Sequence, residues 1–212
     1  MTFAKESLPF VLAPGLLAVA LFALGAPGWS LVAAIGAVGV LLFFRIPTRI
    51  SDAPPDVLIA PANGLVTRVD SVVDESVGQA EMHRVVTFLS VFDVHVQRSP
   101  VAGEVVVSRY TPGRKVAAFR PEAGEVNESH LTVLRNSKGD LFGVKQIAGL
   151  LARRIVAYQG VGSQVQRGQL IGLIKFGSRV DLLVPSSYRI AVQKGDRLKE
   201  GKTPVARPES TV

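Results

Sequence analysis

A mainly β domain, built as a compact closed or sandwiched sheet and preceded by an N-terminal apolar helical hairpin, is the fold this 212-residue sequence predicts. Three observations carry that expectation. Two uncharged apolar stretches fall within the first 44 residues. Beyond position 56, short runs rich in β-branched residues alternate with Gly and Pro at close spacing. Two short patterns also recur, each placing a Gly where a sheet would turn.

The first apolar stretch runs from Leu8 to Leu24 and the second from Leu31 to Phe44, with Gly25-Ala26-Pro27-Gly28-Trp29-Ser30 between them as a turn. A spanning helix needs roughly 20 residues, so each stretch is short for a full crossing. Two tilted helices and a shallow re-entrant hairpin both fit. Lys5 precedes the pair and Arg45 and Arg49 follow it, which puts both ends on the cytoplasmic side by the positive-inside tendency. A cleaved signal peptide is the competing account, but Lys5 stands beside Glu6 and a second apolar stretch follows at once. The expected segments are a membrane anchor over 1–45, a linker over 46–56 that holds Pro47, Pro54 and Pro55, and a β domain over 57–212.

Within that domain the expected strands are Val57–Ala60, Val66–Val69, Arg84–Leu89, Glu104–Ser108, Leu131–Leu134, Val144–Ile147, Arg154–Tyr158, Leu170–Lys175, Val180–Val184 and Tyr188–Val192. Ile147 to Ile155 also suits a short helix with Leu150, Leu151 and Ile155 on one side, because so short a run does not separate the two periods. Pro61-Ala62-Asn63-Gly64-Leu65-Val66 echoes Pro100-Val101-Ala102-Gly103-Glu104-Val105. Gln166-Arg167-Gly168-Gln169-Leu170 echoes Lys194-Gly195-Asp196-Arg197-Leu198. Such echoes occur in compact sheets with hairpins of the lipoyl or biotinyl-carrier kind, where Gly supplies positive φ at turns.

Composition narrows the chemistry. Cysteine is absent, which removes disulfides, thiol nucleophiles and Cys-based zinc sites. The only histidines are His83, His95 and His130, too few for a multi-His metal centre, so no metal is expected. The formal charge of +7 suits nucleic acid or an anionic membrane face. The apolar N-terminus favours the membrane, and aromatic residues at 7% give little support to a base-stacking platform, so no nucleic-acid partner is expected. Neither a G-x-S-x-G elbow nor a Walker loop, H-E-x-x-H or G-x-G-x-x-G is present. Gly162-Ser163 and Gly177-Ser178 are the Gly-Ser dipeptides, and among 20 glycines either one reads by itself as a turn.

The surroundings of the second pair single it out. Leu170-Ile171-Gly172-Leu173-Ile174-Lys175-Phe176-Gly177-Ser178-Arg179-Val180-Asp181-Leu182-Leu183-Val184-Pro185 resembles the processing segment of phosphatidylserine decarboxylases, especially the short prokaryotic (type A) pyruvoyl-dependent proenzymes. Phe88 to Pro100, with Asp93-Val94-His95 at its centre, resembles that family's histidine segment. Asn127-Glu128 resembles its Asn-Glu motif, and Gln146-Ile147-Ala148-Gly149 with Ala152-Arg153-Arg154-Ile155 matches as well. The resemblance covers roughly residues 46 to 205, in order.

It implies a self-cutting proenzyme in which the Gly177–Ser178 bond breaks, giving a β chain of 1–177 and an α chain of 178–212. Ser178 would become a pyruvoyl cofactor that forms a Schiff base with the substrate amine, with neither pyridoxal phosphate nor metal. A hydroxyl beside a peptide carbonyl attacks it once a base takes its proton and the backbone is held bent. His95 is the expected base for cutting and the expected proton donor after decarboxylation. His83 reads as a surface residue and His130 as structural. One position departs from the family: Asn63 stands where an Asp orients the processing histidine. Asn accepts a hydrogen bond from imidazole but has no charge with which to stabilise imidazolium. Asp93, two residues before His95 and on the same face of an extended segment, offers a carboxylate. Asn127 and Glu128 are carried over as supporting residues.

The substrate implied is phosphatidylserine, or archaetidylserine in an archaeon, used at the cytoplasmic face of the cell membrane. The two fragments would stay together as a heterodimer or a higher oligomer. A membrane-anchored lipoyl-like adaptor without catalysis is the alternative; it accounts for the anchor and the Gly turns, but not for the His95 and Ser178 segments together.

Overall fold

The computed structural model describes residues 1–78, 81–118, 120, 122–150, 154–175 and 178–209. It divides into two compact units, Met1–Thr48 and Arg49–Val212.

In the first unit β1 (Thr2–Phe3) pairs antiparallel with β2 (Arg45–Ile46), and between them lie a 3-10 turn at Lys5–Ser7, α1 (Leu8–Ala23) and α2 (Pro27–Phe43). The turn is tighter than the expected Gly25–Ser30. Proline is favoured in a first helical turn because its missing N–H has no partner there anyway, so Pro27 already starts α2. Gly25 closes α1 with φ +74°. Both helices are apolar all round and largely uncovered; Leu16, Phe22 and Ile35 are exposed. Lys5–Ala23 is long and apolar enough to cross a membrane, with a mean hydropathy of 1.8, and Pro27–Phe43 is shorter. A helix without a polar face is ordinarily buried in protein or in lipid.

The second unit is almost entirely strand, in the order β3 (Leu58–Ile59), β4 (Gly64–Val73), β5 (Glu81–Leu89), β6 (Val96–Arg98), β7 (Gly103–Thr111), α3 (Ala123–Val126), β8 (Ser129–Arg135), β9 (Leu141–Ala148), β10 (Arg154–Ala157), β11 (Gln164–Val165), β12 (Leu170–Lys175), β13 (Ser178–Pro185), β14 (Tyr188–Ile190), β15 (Arg197–Leu198) and β16 (Pro204–Pro208). A curled eight-stranded sheet has the order β11-β7-β8-β9-β13-β5-β4-β15, and two three-stranded sheets, β10-β12-β6 and β14-β16-β3, complete the unit. All pairings within the named sheets are antiparallel.

The alternation expected of half-buried strands sets the packing. Val66, Val85, Val105, Val144, Val180 and Leu182 of the large sheet form one core with Ile171 and Ile174 of β12 and with Leu58, Tyr188 and Val205 of the third sheet. A smaller cluster, Val77, Met82, Leu131, Val133 and Leu183, gathers on the large sheet's other face. Where a short helix over Ile147–Ile155 was one expectation, Ile147 and Ala148 end β9 and Arg154 and Ile155 begin β10, and Leu151, Ala152 and Arg153 lie outside the described residues. Gly168 (φ +84°) and Gly195 (φ +101°) hold the two echoed turns in the left-handed region that favours glycine.

The chain that leads from the first unit is clipped down within the second. Arg49 Nε meets the buried Glu200 carboxylate at 3.2 Å. Arg167 donates to the carbonyls of Ala53 (2.8 Å), Pro54 and Val57 (2.9 Å). Burial pushes the Glu200 carboxyl up, against the pull of Arg49 and Arg98.

Candidate active site

Ser178 is the first residue of β13, the strand between β9 and β5, and pairs with Ala148 on one side and Leu89 on the other. Alternation along β13 puts it in one row with Val180, Leu182 and Val184, facing the main core. It is wholly buried, and its Oγ has no hydrogen-bond partner among the described residues. Phe176 and Gly177, the other half of the expected cutting site, lie outside the described residues.

His95 is wholly buried just before β6. Its carbonyl accepts from Ile174 N at 3.1 Å, which ties it to the strand running toward Ser178. Its ring Nδ1 lies 2.9 Å from the Asp93 carbonyl oxygen. A carbonyl only accepts, so Nδ1 carries a proton, and the neutral tautomer that matches this contact has its lone pair on Nε2. That is the tautomer of a base working through Nε2.

Asp93 does not share a strand face with His95, as an extended segment would have required. Residues 91–95 are turn and coil, because the Asp93 carboxylate accepts from Ser90 N (2.9 Å) and Ser90 Oγ (2.8 Å) and so closes a tight local turn. The Asp93 backbone carbonyl meets the imidazole, while its carboxylate closes the turn. Asn63 Nδ2 donates to Asp93 Oδ1 at 3.3 Å, and Arg197 Nη1 lies 3.6 Å from the same oxygen. Asn63 and Asp93 thus position the turn that positions His95. Next to Asn63, Gly64 opens β4 where a side chain would run into the Phe88 carbonyl, so Asn63-Gly64 marks a close strand approach and not a hairpin tip.

Asn127, 2% exposed, uses its whole amide: it accepts from Val116 N (3.0 Å) and donates to the carbonyls of Val116 (2.8 Å) and Ala148 (2.7 Å). The Glu128 carbonyl accepts from Ala148 N at 2.9 Å. The Asn-Glu pair therefore fixes the residue opposite Ser178 in the ladder.

Two residues without a sequence-derived role join this group. Gln97 Nε2 donates to the His95 carbonyl (2.9 Å), and Gln146 Nε2 donates to Gln97 Oε1 (2.7 Å), with both side chains buried. A Cβ on Gly172 would come within 2.6 Å of Gln146 Nε2. A glycine inside the strand Leu170–Lys175 was the readable sign that another group comes close there.

The remaining histidines are elsewhere. His83 lies half-buried in β5. His130 is 6% exposed in β8, with Nε2 3.2 Å from Ser108 Oγ and Nδ1 3.5 Å from Thr132 Oγ1, and burial pushes its pKa down. On the opposite face of β13 the Arg179 guanidinium grips Asp181 through two bonds of 2.6 Å, with both side chains buried. Beside it Arg84 holds Asp70 in the same way, at 2.8 and 2.6 Å, and this hydrogen bonding lowers the Asp70 pKa against its partial burial. Two larger surface hollows, of about 660 and 560 Å³, are lined by neither Ser178 nor His95. Among the described residues no group of three His, Cys, Asp or Glu side chains is placed to hold a metal ion.

Comparison with known proteins is consistent across the chain. Residues 39–206 match the phosphatidylserine decarboxylase family. A phosphatidylserine decarboxylase proenzyme of Symbiobacterium thermophilum is 42% identical over 206 residues, 96% of this chain and 94% of that one. Those of Saccharopolyspora erythraea (44% over 167 residues, 77% of this chain and 71% of that one) and Geotalea uraniireducens (37% over 203 residues, 94% and 93%) are similar to it as well. With the match running through nearly all of the β unit and the relatives reaching into the apolar N-terminus, the chain belongs to the phosphatidylserine decarboxylase family, and the non-catalytic adaptor gives way to an enzyme.

Proposed function

We propose that this chain is a membrane-anchored proenzyme that cuts itself between Gly177 and Ser178, converts Ser178 into a pyruvoyl group and then decarboxylates phosphatidylserine to phosphatidylethanolamine. The observation that carries this reading is the Ser178 hydroxyl: wholly buried, without a hydrogen-bond partner among the described residues, at the head of the strand fixed by Leu89 and Ala148. A buried hydroxyl left unsatisfied costs about 1–3 kcal/mol, and such a cost is ordinarily avoided where nothing depends on it.

In the cut, His95 Nε2 takes the Ser178 proton and Oγ bonds to the Gly177 carbonyl carbon. The C–N bond then breaks as the proton passes to the leaving nitrogen, giving an ester. A base removes the Ser178 α-proton, the Gly177 carboxylate leaves from Cβ, and the resulting dehydroalanine takes up water and loses ammonia. The site fits a pyruvoyl group: Ser178 Oγ can be lost without breaking a hydrogen bond, and ladder pairing holds the rest of β13. When present, that group supplies an electron sink for the pair left behind as CO₂ departs. Burial limits the site's exchange with bulk water, and His95 returns a proton to the substrate α-carbon. Asn63 and Asp93 hold the His95 turn, and Asn127 and Glu128 hold the Ala148 end of β9.

The unit Met1–Thr48 would be the anchor, with the second unit on the cytoplasmic side and the two fragments remaining together as a heterodimer. A denaturing gel tests the reading. The purified protein should run as two pieces, the smaller of about 35 residues with a blocked N-terminus, and Ser178→Ala should stay whole and release no CO₂ from phosphatidylserine. An intact wild-type chain in detergent and lipid would sink it.

A further inference from the structure

The end of the eight-stranded sheet that carries Ser178 differs from the opposite end. β5 stops at Leu89 and β9 at Ala148, the two ladder partners of Ser178, and each strand then runs out into an exposed apolar tip. After Leu89 come Val91 and Phe92, 42% and 84% exposed; after Ala148 comes Leu150, 65% exposed. The same end presents exposed cations: Arg114, whose carbonyl accepts from Glu128 N; Lys115 beside it; and Arg154, opposite Lys175 in the β10–β12 ladder. The acidic residues of α3 and its cap, Glu125 and Glu122, turn instead to the flank, where they line the hollow that holds Arg84 and Arg179. At the far end of the sheet the β4–β5 turn carries the acidic Asp74, Glu75 and Glu81.

Apolar tips ringed by cations are the surface chemistry of a protein lying on an anionic bilayer: the tips enter the acyl boundary and the cations meet lipid phosphates. We propose that this end of the sheet is the face on which the β unit docks to an anionic lipid surface, with the Val91–Phe92 turn and Leu150 as its inserted tips. The proposal rests on the reading of a lipid substrate and deepens it. Ser178 is wholly buried and neither large hollow reaches it, so a headgroup delivered at this end arrives beside His95, three residues from Phe92, without its acyl chains having to leave the bilayer.

The test uses the full chain in vesicles of phosphatidylcholine and phosphatidylglycerol, an anionic lipid that is not the substrate. In a Trp29→Phe background, Phe92→Trp or Leu150→Trp places a single indole at the proposed face, and Val73→Trp places one at the opposite end. Acyl chains brominated near the headgroup should quench the indoles at positions 92 and 150 severalfold and leave the one at 73 nearly unchanged. Equal quenching at 92, 150 and 73, or none at 92 and 150, overturns the docking face. Cutting, scored on the same samples by gel, reports separately on the lyase: a cut chain without quenching removes only the docking face, and quenching in an uncut chain supports that face without the lyase.

Discussion

The two faces of β13 differ in what they do with buried polarity. Toward the main core the strand presents Ser178, Val180, Leu182 and Val184; toward the other side, Arg179, Asp181 and Leu183. All are buried to within a few per cent of complete. On the outer face both formal charges are matched by two short bonds, while on the inner face a single hydroxyl has no partner among the described residues. The difference separates two tasks within eight residues. One face keeps the strand in register, and the other holds the hydroxyl that the proposed cut uses as its nucleophile.

The sharpest way to break that contrast is on the inner face. His95→Gln keeps the size and a hydrogen-bonding end but removes the base. It should slow the appearance of the fragment in a gel time course about 10²–10⁴-fold, with the urea midpoint little changed. A variant that cuts at the wild-type rate would remove His95 from the chemistry. On the outer face Asp181→Ala takes away both short bonds to the buried Arg179 guanidinium, a loss of about 1.5–3 kcal/mol in chemical unfolding. A loss below about 1 kcal/mol would mean that the pair is not what holds β13.

The smallest effect concerns His130, whose buried polarity is matched by Ser108 and Thr132. Burial lowers its folded pKa below the usual 6.5, so the neutral ring is the stable one. Its contribution is present in full above pH 6.5 and is lost as pH falls through the folded pKa. Stability of the wild type should therefore decline on going from pH 7.5 to 5 more than that of His130→Gln, as followed by urea midpoints.

Much of this arrangement was legible beforehand, for identifiable reasons. The strand Leu170–Lys175 was found with its observed bounds because a β-branched run ends against a Gly turn at one side. β6, β11 and β16 were not found as strands. Val96-Gln97-Arg98 is polar although wholly or nearly buried, β11 is two residues long, and β16 begins and ends in proline, so none shows the apolar alternation on which a strand reading depends. Ser178 and His95 were singled out only through the family resemblance of the runs around them, since a Gly-Ser pair and a lone strand histidine each read by themselves as structural. The His95–Gln97–Gln146 connection was not, since two amides meeting between sheets are set by tertiary packing, which no local pattern encodes. The extended segment expected from Asp93 to His95 is instead a turn, because a carboxylate three residues past a backbone N–H closes a local ring with it.

Residues 178–209 are threaded through two of the three sheets of the second unit, missing only β10-β12-β6. β13 is inside the large sheet, β15 lies at its edge beside β4, and β14 and β16 build the third. A break ahead of Ser178 would thus free no edge and release no piece; the short chain would leave only when the sheets themselves come apart. On the proposed cut, activation becomes a test of a new molecule's own assembly: the strands on either side of Ser178 pair with it only in the finished sheet, so a misfolded copy would keep its peptide bond and stay inert. A broken bond would then be a permanent record that folding succeeded.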